Sequence, residues 1–339
     1  MRRYHGLSNA ALFCGPRHAS QLCNVAKHLK LMKGDLADQG SHRRVLKRVA
    51  CFIRAGSPLS YYIGYACGLN HIFLLTGEPP YAPCQTGVES QMSTDRETKE
   101  ETKLVEAAIS DLVLANRILA REDVIDSFGH VSVRHPLRND RYFLSRSRSP
   151  VNVTREDIME FTLDGELVGE DHRRPYNERH IHGAIYKDRP DVNSVAHHHA
   201  RSIIPFTMND ISLRPIFHMS SVIGKEVPTW DSQDEFGDTN MLVDSMEMGH
   251  SLSRALEQNS VALLRGHGCI CVAANVRAVC MVATGLKDNA ALVQQSLPLG
   301  PLTPLTDGEI EKTSAMLLGD MPLARAWDYW VSRAGYPGL

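Results

Sequence analysis

The segment Pro190-Asp-Val-Asn-Ser-Val-Ala-His197-His-His199 carries the densest information in the chain. Val192 to His198 reads as a β-strand. Alternate residues of a strand share a face, so His197 and His199 project together while His198 points the other way. Two imidazoles at that spacing form a bidentate platform for a metal ion. Taken alone, the same pattern more often describes packed or surface histidines, so the segment has to be read with its neighbours.

Two further segments supply that context. In Leu264-Arg-Gly-His267-Gly268 a histidine stands between glycines at a strand end, where the backbone can turn tightly and approach a ligand. His267 is thus a third imidazole, or else an exposed turn residue. In Pro175-Tyr-Asn-Glu178-Arg-His-Ile-His182-Gly-Ala-Ile-Tyr186 a helix is expected over 177–186, with Ile181, Ala184 and Ile185 on one side. Glu178 opens it, where a carboxylate suits the helix dipole. His182 lies four residues on and shares that face, as a ligand or as a packing residue.

Working outward, His130-Val-Ser-Val-Arg134 alternates polar and apolar residues as a half-buried strand, and Arg141-Tyr-Phe-Leu-Ser145 is a second strand. Thr154 and Asp157 form a variant capping box. Asp164-Gly165 is a hairpin turn between Phe161-Thr-Leu and Glu166-Leu-Val. Val261-Ala-Leu-Leu264 and Cys269-Ile-Cys-Val272 read as a hairpin-like pair. A long helix is expected over 276–295. An amphipathic helix carries Leu104, Ala107, Ala108, Leu112, Ala115 and Leu119. The hairpins point to a layered α/β domain with a mostly antiparallel sheet.

The chain has 339 residues, 43% hydrophobic and 22% charged, with a formal net charge of −2. That composition supports a sizeable core and gives no electrostatic reason to expect a nucleic acid or a membrane as partner. Residues 1–91 differ from the rest. Bases outnumber acids there, five of the 8 cysteines (Cys14, Cys23, Cys51, Cys67, Cys84) lie there, and no helical or strand period is sustained. A polar run then opens at Met92. The expected organisation is an N-terminal extension over 1–91, disordered or outside the native product, a domain over 92–310, and a C-terminal helical tail over 311–339. Cysteine spacing matches no disulfide framework, which places the protein in a reducing compartment, the cytoplasm. The acid-free first 34 residues leave a mitochondrial transit peptide as the alternative.

Gly129-His-Val-Ser-Val-Arg134, Glu178 with His182-Gly-Ala-Ile-Tyr186, Pro190 to His199, and Leu263-Leu-Arg-Gly-His267-Gly agree in order, spacing and context with one family. Over residues 100–300 the chain resembles the class II aldolase/adducin family. The resemblance implies a three-layer α/β/α sandwich around a mainly antiparallel sheet. It also implies a homotetramer with active sites at subunit interfaces. One divalent metal ion per subunit would be held by His197, His199 and His267, with Glu178 beside it as acid/base. Three neutral imidazoles with open positions suit zinc, manganese, iron or cobalt.

Departures from the aldolases narrow the reading. Where they have an asparagine this chain has His130. Where they carry a phosphate-binding serine pair it has Tyr176-Asn177. Where they offer a neighbouring subunit's tyrosine it has Pro215-Ile-Phe-His218-Met219. The chain therefore resembles the decarboxylase branch, which acts on hydroxylated aromatic or ring-cleaved dicarboxylic acids. In Ser145-Arg-Ser147-Arg148-Ser-Pro150, Ser147 and Arg148 are candidate substrate-binding residues, since a guanidinium pairs with a carboxylate in bidentate fashion. His130 and His218 join Glu178 as candidate catalytic residues. The expected function is a metal-dependent carbon–carbon lyase, a decarboxylase working through a metal-stabilised enolate on a small-molecule carboxylate. The alternatives are an aldolase or epimerase on an unphosphorylated aldehyde, a non-heme iron oxygenase, and a non-catalytic adducin-like interaction protein.

Overall fold

A computed structural model describes residues 62–64, 73–75 and 87–335 of the chain. The chain divides into two units, Met1–Cys84 and Gln85–Leu339. In the first, strands β1 (Tyr62–Gly64) and β2 (Phe73–Leu75) pair antiparallel, although the sequence shows no sustained strand period there. The expected disorder of the extension otherwise falls outside the described residues.

The second unit opens with helix α1 (Gly87–Arg121), which runs unbroken through Met92. The boundary expected at 91/92 therefore falls inside a helix. A seven-stranded sheet follows, in the spatial order β5 (Ile158–Thr162), β4 (Arg141–Ser145), β3 (His130–Arg134), β6 (Ser194–His198), β9 (Gly268–Ala273), β8 (Val261–Leu264), β7 (Thr229–Trp230). All pairs are antiparallel except β7 with β8. That short parallel edge strand was not expected, because two residues carry no readable period. The Asp164-Gly165 turn is present: Gly165 takes a positive φ of 77°, and Thr162 N–H donates to Glu166 O at 2.8 Å. The Thr154–Asp157 box caps a single 3-10 turn rather than an α-helix.

Alternation along the strands sorts side chains into two cores. On one face Val131, Val133, Ala196, Val261, Leu263 and Cys271 pack against α1 and helix α5 (Val276–Ser296). On the other, Tyr142, Leu144, Val195, Ala262, Ile270 and Val272 pack against helices α2 (Arg179–Asp188) and α4 (Met246–Leu256). The short helix α3 (Ser232–Phe236) precedes α4. The result is the expected α/β/α sandwich. Each fully buried leucine or valine contributes roughly 1.5–3 kcal/mol. Helices α2 and α4 touch closely at Gly249, where a Cβ would stand 2.7 Å from both His180 O and the Ala184 side chain. Glycine is needed there for contact, not for φ.

Helices α6 (Asp307–Leu317) and α7 (Asp320–Arg333) close the chain. Leu317, Leu323, Trp327 and Trp330 are buried in the α1/α5 core. The expected tail from 311 is helical, but it begins inside α6 and is part of the packed domain. No described helix is long and apolar enough to cross a membrane.

Candidate metal and substrate site

Strands β3, β6 and β9 lie at the centre of the sheet. Register pairs His130 with His197, so both side chains emerge on the α2/α4 face. His199 follows β6, and His267 sits in the β8–β9 turn. Gly268, opening β9, lies close against the backbone of His198, with no room for a side chain.

Three imidazoles converge. His199 Nε2 stands 3.0 Å from His197 Nε2 and 3.2 Å from His267 Nε2. The far nitrogens of two of them explain the arrangement, while His267 Nδ1 is buried without a hydrogen-bond partner. His197 Nδ1 donates to Cys269 O at 3.0 Å, and His199 Nδ1 donates to Asp126 Oδ1 at 3.2 Å. With the proton held on Nδ1, each Nε2 presents a lone pair, so the 3.0 Å contact between them is not a hydrogen bond. A cation resolves that opposition. Metal–nitrogen bonds of about 2.0–2.1 Å put neighbouring ligand nitrogens roughly 3.0–3.4 Å apart. Outer partners on Nδ1 are also the usual support for a metal-binding histidine. The donor set thus fits a divalent ion.

Glu178 stands at the N-cap of α2, with Oε2 3.5 Å from His197 Nε2 and Oε1 4.0 Å from His267 Nε2. Its Oε1 accepts from the Val243 amide at 3.1 Å. Burial works to raise the Glu178 pKa, but His130, the charge of His267 and the Val243 amide outweigh it, and the net shift is downward. Burial drives His197 well below the usual histidine range. It also lowers His199, against the pull of Asp126. These groups favour a carboxylate beside neutral imidazoles, the forms that bind a cation.

His130 heads a buried polar chain. Its Nδ1 lies 2.7 Å from His182 Nε2, His182 Nδ1 lies 2.6 Å from Ser132 Oγ, and Ser132 Oγ lies 2.7 Å from Tyr186 OH. The Tyr176 ring packs on His130 with centroids 4.6 Å apart, and its hydroxyl donates to Arg148 O. The Tyr176-Asn177 stretch therefore walls the site. Across the sheet, His198 is sealed against Cys269 Sγ (3.2 Å) and Cys271 Sγ (3.6 Å).

A cleft of about 770 Å³ opens over these groups, lined in part by Ser147, Arg148, Arg174, Glu178, His199 and His267. Arg148 is not free: Asp157 lies 3.2 Å from its guanidinium and 2.6 Å from that of Arg146. Arg173 is paired with Asp171. Arg174 lines the cleft and has no acidic partner among the described residues. The structure thus gathers Glu178, His199, His267, Ser147 and Arg148 around one cleft, with His130 and His197 buried beside Glu178. His218 is exposed at the start of a 3-10 turn and does not line it. Sequence reasoning missed Asp126, Ser132, Tyr186 and Arg174. Ser132 shares a strand face with His130, and Tyr186 a helix face with His182, so periodicity held both. The pairing of Asp126 and the freedom of Arg174 depend on tertiary contacts.

Fold and site together define an α/β/α protein with a three-histidine, one-carboxylate centre. The model of the class II aldolase and adducin N-terminal domain matches residues 110–293. The chain is 31% identical over 244 residues to the decarboxylase tropJ of Talaromyces stipitatus, covering 66% of this chain and 92% of that protein. It is 26% identical over 239 residues to the 3,4-dihydroxyphthalate decarboxylase of Arthrobacter keyseri, again 66% and 92%. The L-fuculose 1-phosphate aldolase structure from Glaciozyma antarctica shares the fold, with a TM-score of 0.57 and 19% identity over 76% of this chain and 97% of that one. The chain belongs to the class II aldolase/adducin family, and it is a lyase of that family.

Proposed function

We propose that this protein is a decarboxylase of a hydroxylated aromatic or ring-cleaved carboxylic acid, with His197, His199 and His267 holding one divalent ion, zinc, manganese, iron or cobalt. One observation carries the substrate class. Two guanidinium groups, Arg148 and Arg174, line the cleft with Glu178, and a third, that of Arg146, shares the Asp157 carboxylate with Arg148, so three guanidinium groups stand against two carboxylates. That excess of positive charge beside the histidine–glutamate centre suits an anionic substrate. The family's serine pair for phosphate is replaced by Tyr176-Asn177, which supports a carboxylate over a phosphate.

When bound, the ion supplies Lewis-acid stabilisation where charge develops as CO2 leaves. The chain's own groups do the rest. Arg174 anchors a carboxylate from the open side, with Ser147 and Arg148 beside it. Glu178, fixed by the Val243 amide, accepts or returns a proton at the reacting carbon. His130 Nε2 lies 3.8 Å from Glu178 Oε2. His218 is exposed and does not line its own cleft, so in a homotetramer it is available to complete a neighbour's site.

The test is an assay of metal-loaded protein against hydroxy-aromatic dicarboxylates, following CO2 and the decarboxylated product. Release of CO2 that stops on chelation supports the reading. Formation of an aldehyde with no CO2 would transfer the site to aldol cleavage.

A further inference from the structure

We infer that His182 is a positioning residue that fixes the proton of His130 on Nε2, making His130 a neutral hydrogen-bond donor to the substrate. The inference deepens the decarboxylase reading for its kinetic consequence. The tautomer itself stands on the geometry alone.

The chain His130–His182–Ser132–Tyr186 is buried between β3 and α2, with relative exposures of 1%, 0%, 0% and 1%. Four polar side chains in such a place are tolerated only when all are satisfied. Two polarities are available. In one, Tyr186 O–H donates to Ser132, Ser132 O–H to His182 Nδ1, and His182 Nε2–H to His130 Nδ1, which leaves the His130 proton on Nε2. The other reverses every donor and turns a bare His130 Nε2 toward Glu178.

One observation selects the first. His130 Nε2 lies 3.8 Å from Glu178 Oε2, so a lone pair there would oppose a carboxylate while an N–H is attracted. His130 Nε2 makes no hydrogen bond within the protein, although it is buried. That leaves one donor, 3.8 Å from Glu178 Oε2, for a molecule bound beside Glu178.

The chain also decides what His130 does not do. It ends on Tyr186, which is buried and whose pKa burial raises, and both oppose drawing a proton through it from solvent. A neutral His130 that gave up Nε2–H would become an imidazolate. His130 therefore keeps its proton and donates a hydrogen bond to the substrate oxygen on which charge grows. Proton delivery to carbon falls to Glu178.

The test uses zinc-loaded protein with 15N-labelled histidine. The wild type should show His130 with Nε2 protonated and Nδ1 bare. In His182→Leu that tautomer should be lost and kcat reduced roughly tenfold to a hundredfold, as for other orienting partners, with zinc content and KM unchanged. His182→Gln keeps a side-chain N–H for His130 Nδ1 and should restore the tautomer and part of kcat. A wild-type His130 protonated on Nδ1, or metal-bound at Nε2, overturns the inference without reference to any variant. So does a folded His182→Leu protein with unchanged tautomer. If no carboxylic acid is decarboxylated, the spectra still decide the tautomer, and only the proposed reaction fails.

Discussion

His197 and His198 are neighbours on one strand and meet opposite surroundings. His197 enters the face that carries His130, His182, Ser132 and Tyr186, where every polar atom has an assigned role or points into the cleft. His198 enters the face packed by α1 and α5, where its contacts are the sulfurs of Cys269 and Cys271. Composition does not separate the two residues. The two-residue period of the strand does, together with what each face packs against. For His197 and His199 the second nitrogen is pinned, by Cys269 O and Asp126, and the first is left with a lone pair facing the other's.

The largest expected effect breaks the polar face directly. His199→Ala removes one of the converging nitrogens, and both bound metal and CO2 release should fall by more than about a hundredfold. His198→Met, on the opposite face, should retain full metal stoichiometry and change only thermal stability. Equal metal loss in both variants, measured by elemental analysis, would erase the distinction between the faces. Glu178→Gln should keep the metal and lower kcat by about 10²–10⁴, the range for a positioned acid–base group.

Much of this comparison was legible in the sequence. The strand at 194–198, the strands at 130–134, 141–145 and 261–264, and the long helix from Val276 all lie where period and turn residues placed them. The convergence of His197, His199 and His267 followed from ordered segments, each ambiguous alone. What stayed hidden depended on partners far away in the chain. In the sequence Arg148 stands as a free anchor, because Asp157, whose carboxylate it shares with Arg146, shows there only a capping-box spacing. Arg174, flanked by Arg173 and Pro175, looked like an ordinary basic loop. Helix α4 escaped because its face packs on α2 through Gly249, a residue that argues against a helix when seen alone.

The two arginines give the next prediction. Arg174→Ala should raise KM for a dicarboxylate by roughly tenfold to a hundredfold, matching about 1.5–3 kcal/mol for a charge-assisted contact, with kcat little changed. If Arg148→Ala raises KM and Arg174→Ala does not, the anchor returns to the residue favoured by sequence.

The smallest effect concerns stability. Burial acts to raise the Asp157 pKa, but hydrogen bonds from Thr154 and Arg146 and the charge of Arg148 bring it down to about 2. A folded-state pKa below the unfolded value stabilises the protein above the unfolded pKa, near 3.9. That contribution should fade as pH falls from there through about 2. Asp157→Asn should cost roughly 1.5–3 kcal/mol at neutral pH and flatten the acid limb of a denaturation curve. An unchanged limb would show that Asp157 does not organise the arginine wall.

The central claim, that three histidines hold the ion on which decarboxylation depends, is tested most directly by counting metal and CO2 on the same sample. Purified protein should contain about one divalent ion per chain. It should lose CO2 release when a chelator removes the ion and regain it when zinc, manganese, iron or cobalt is restored. Full CO2 release from protein verified to be metal-free would contradict the account.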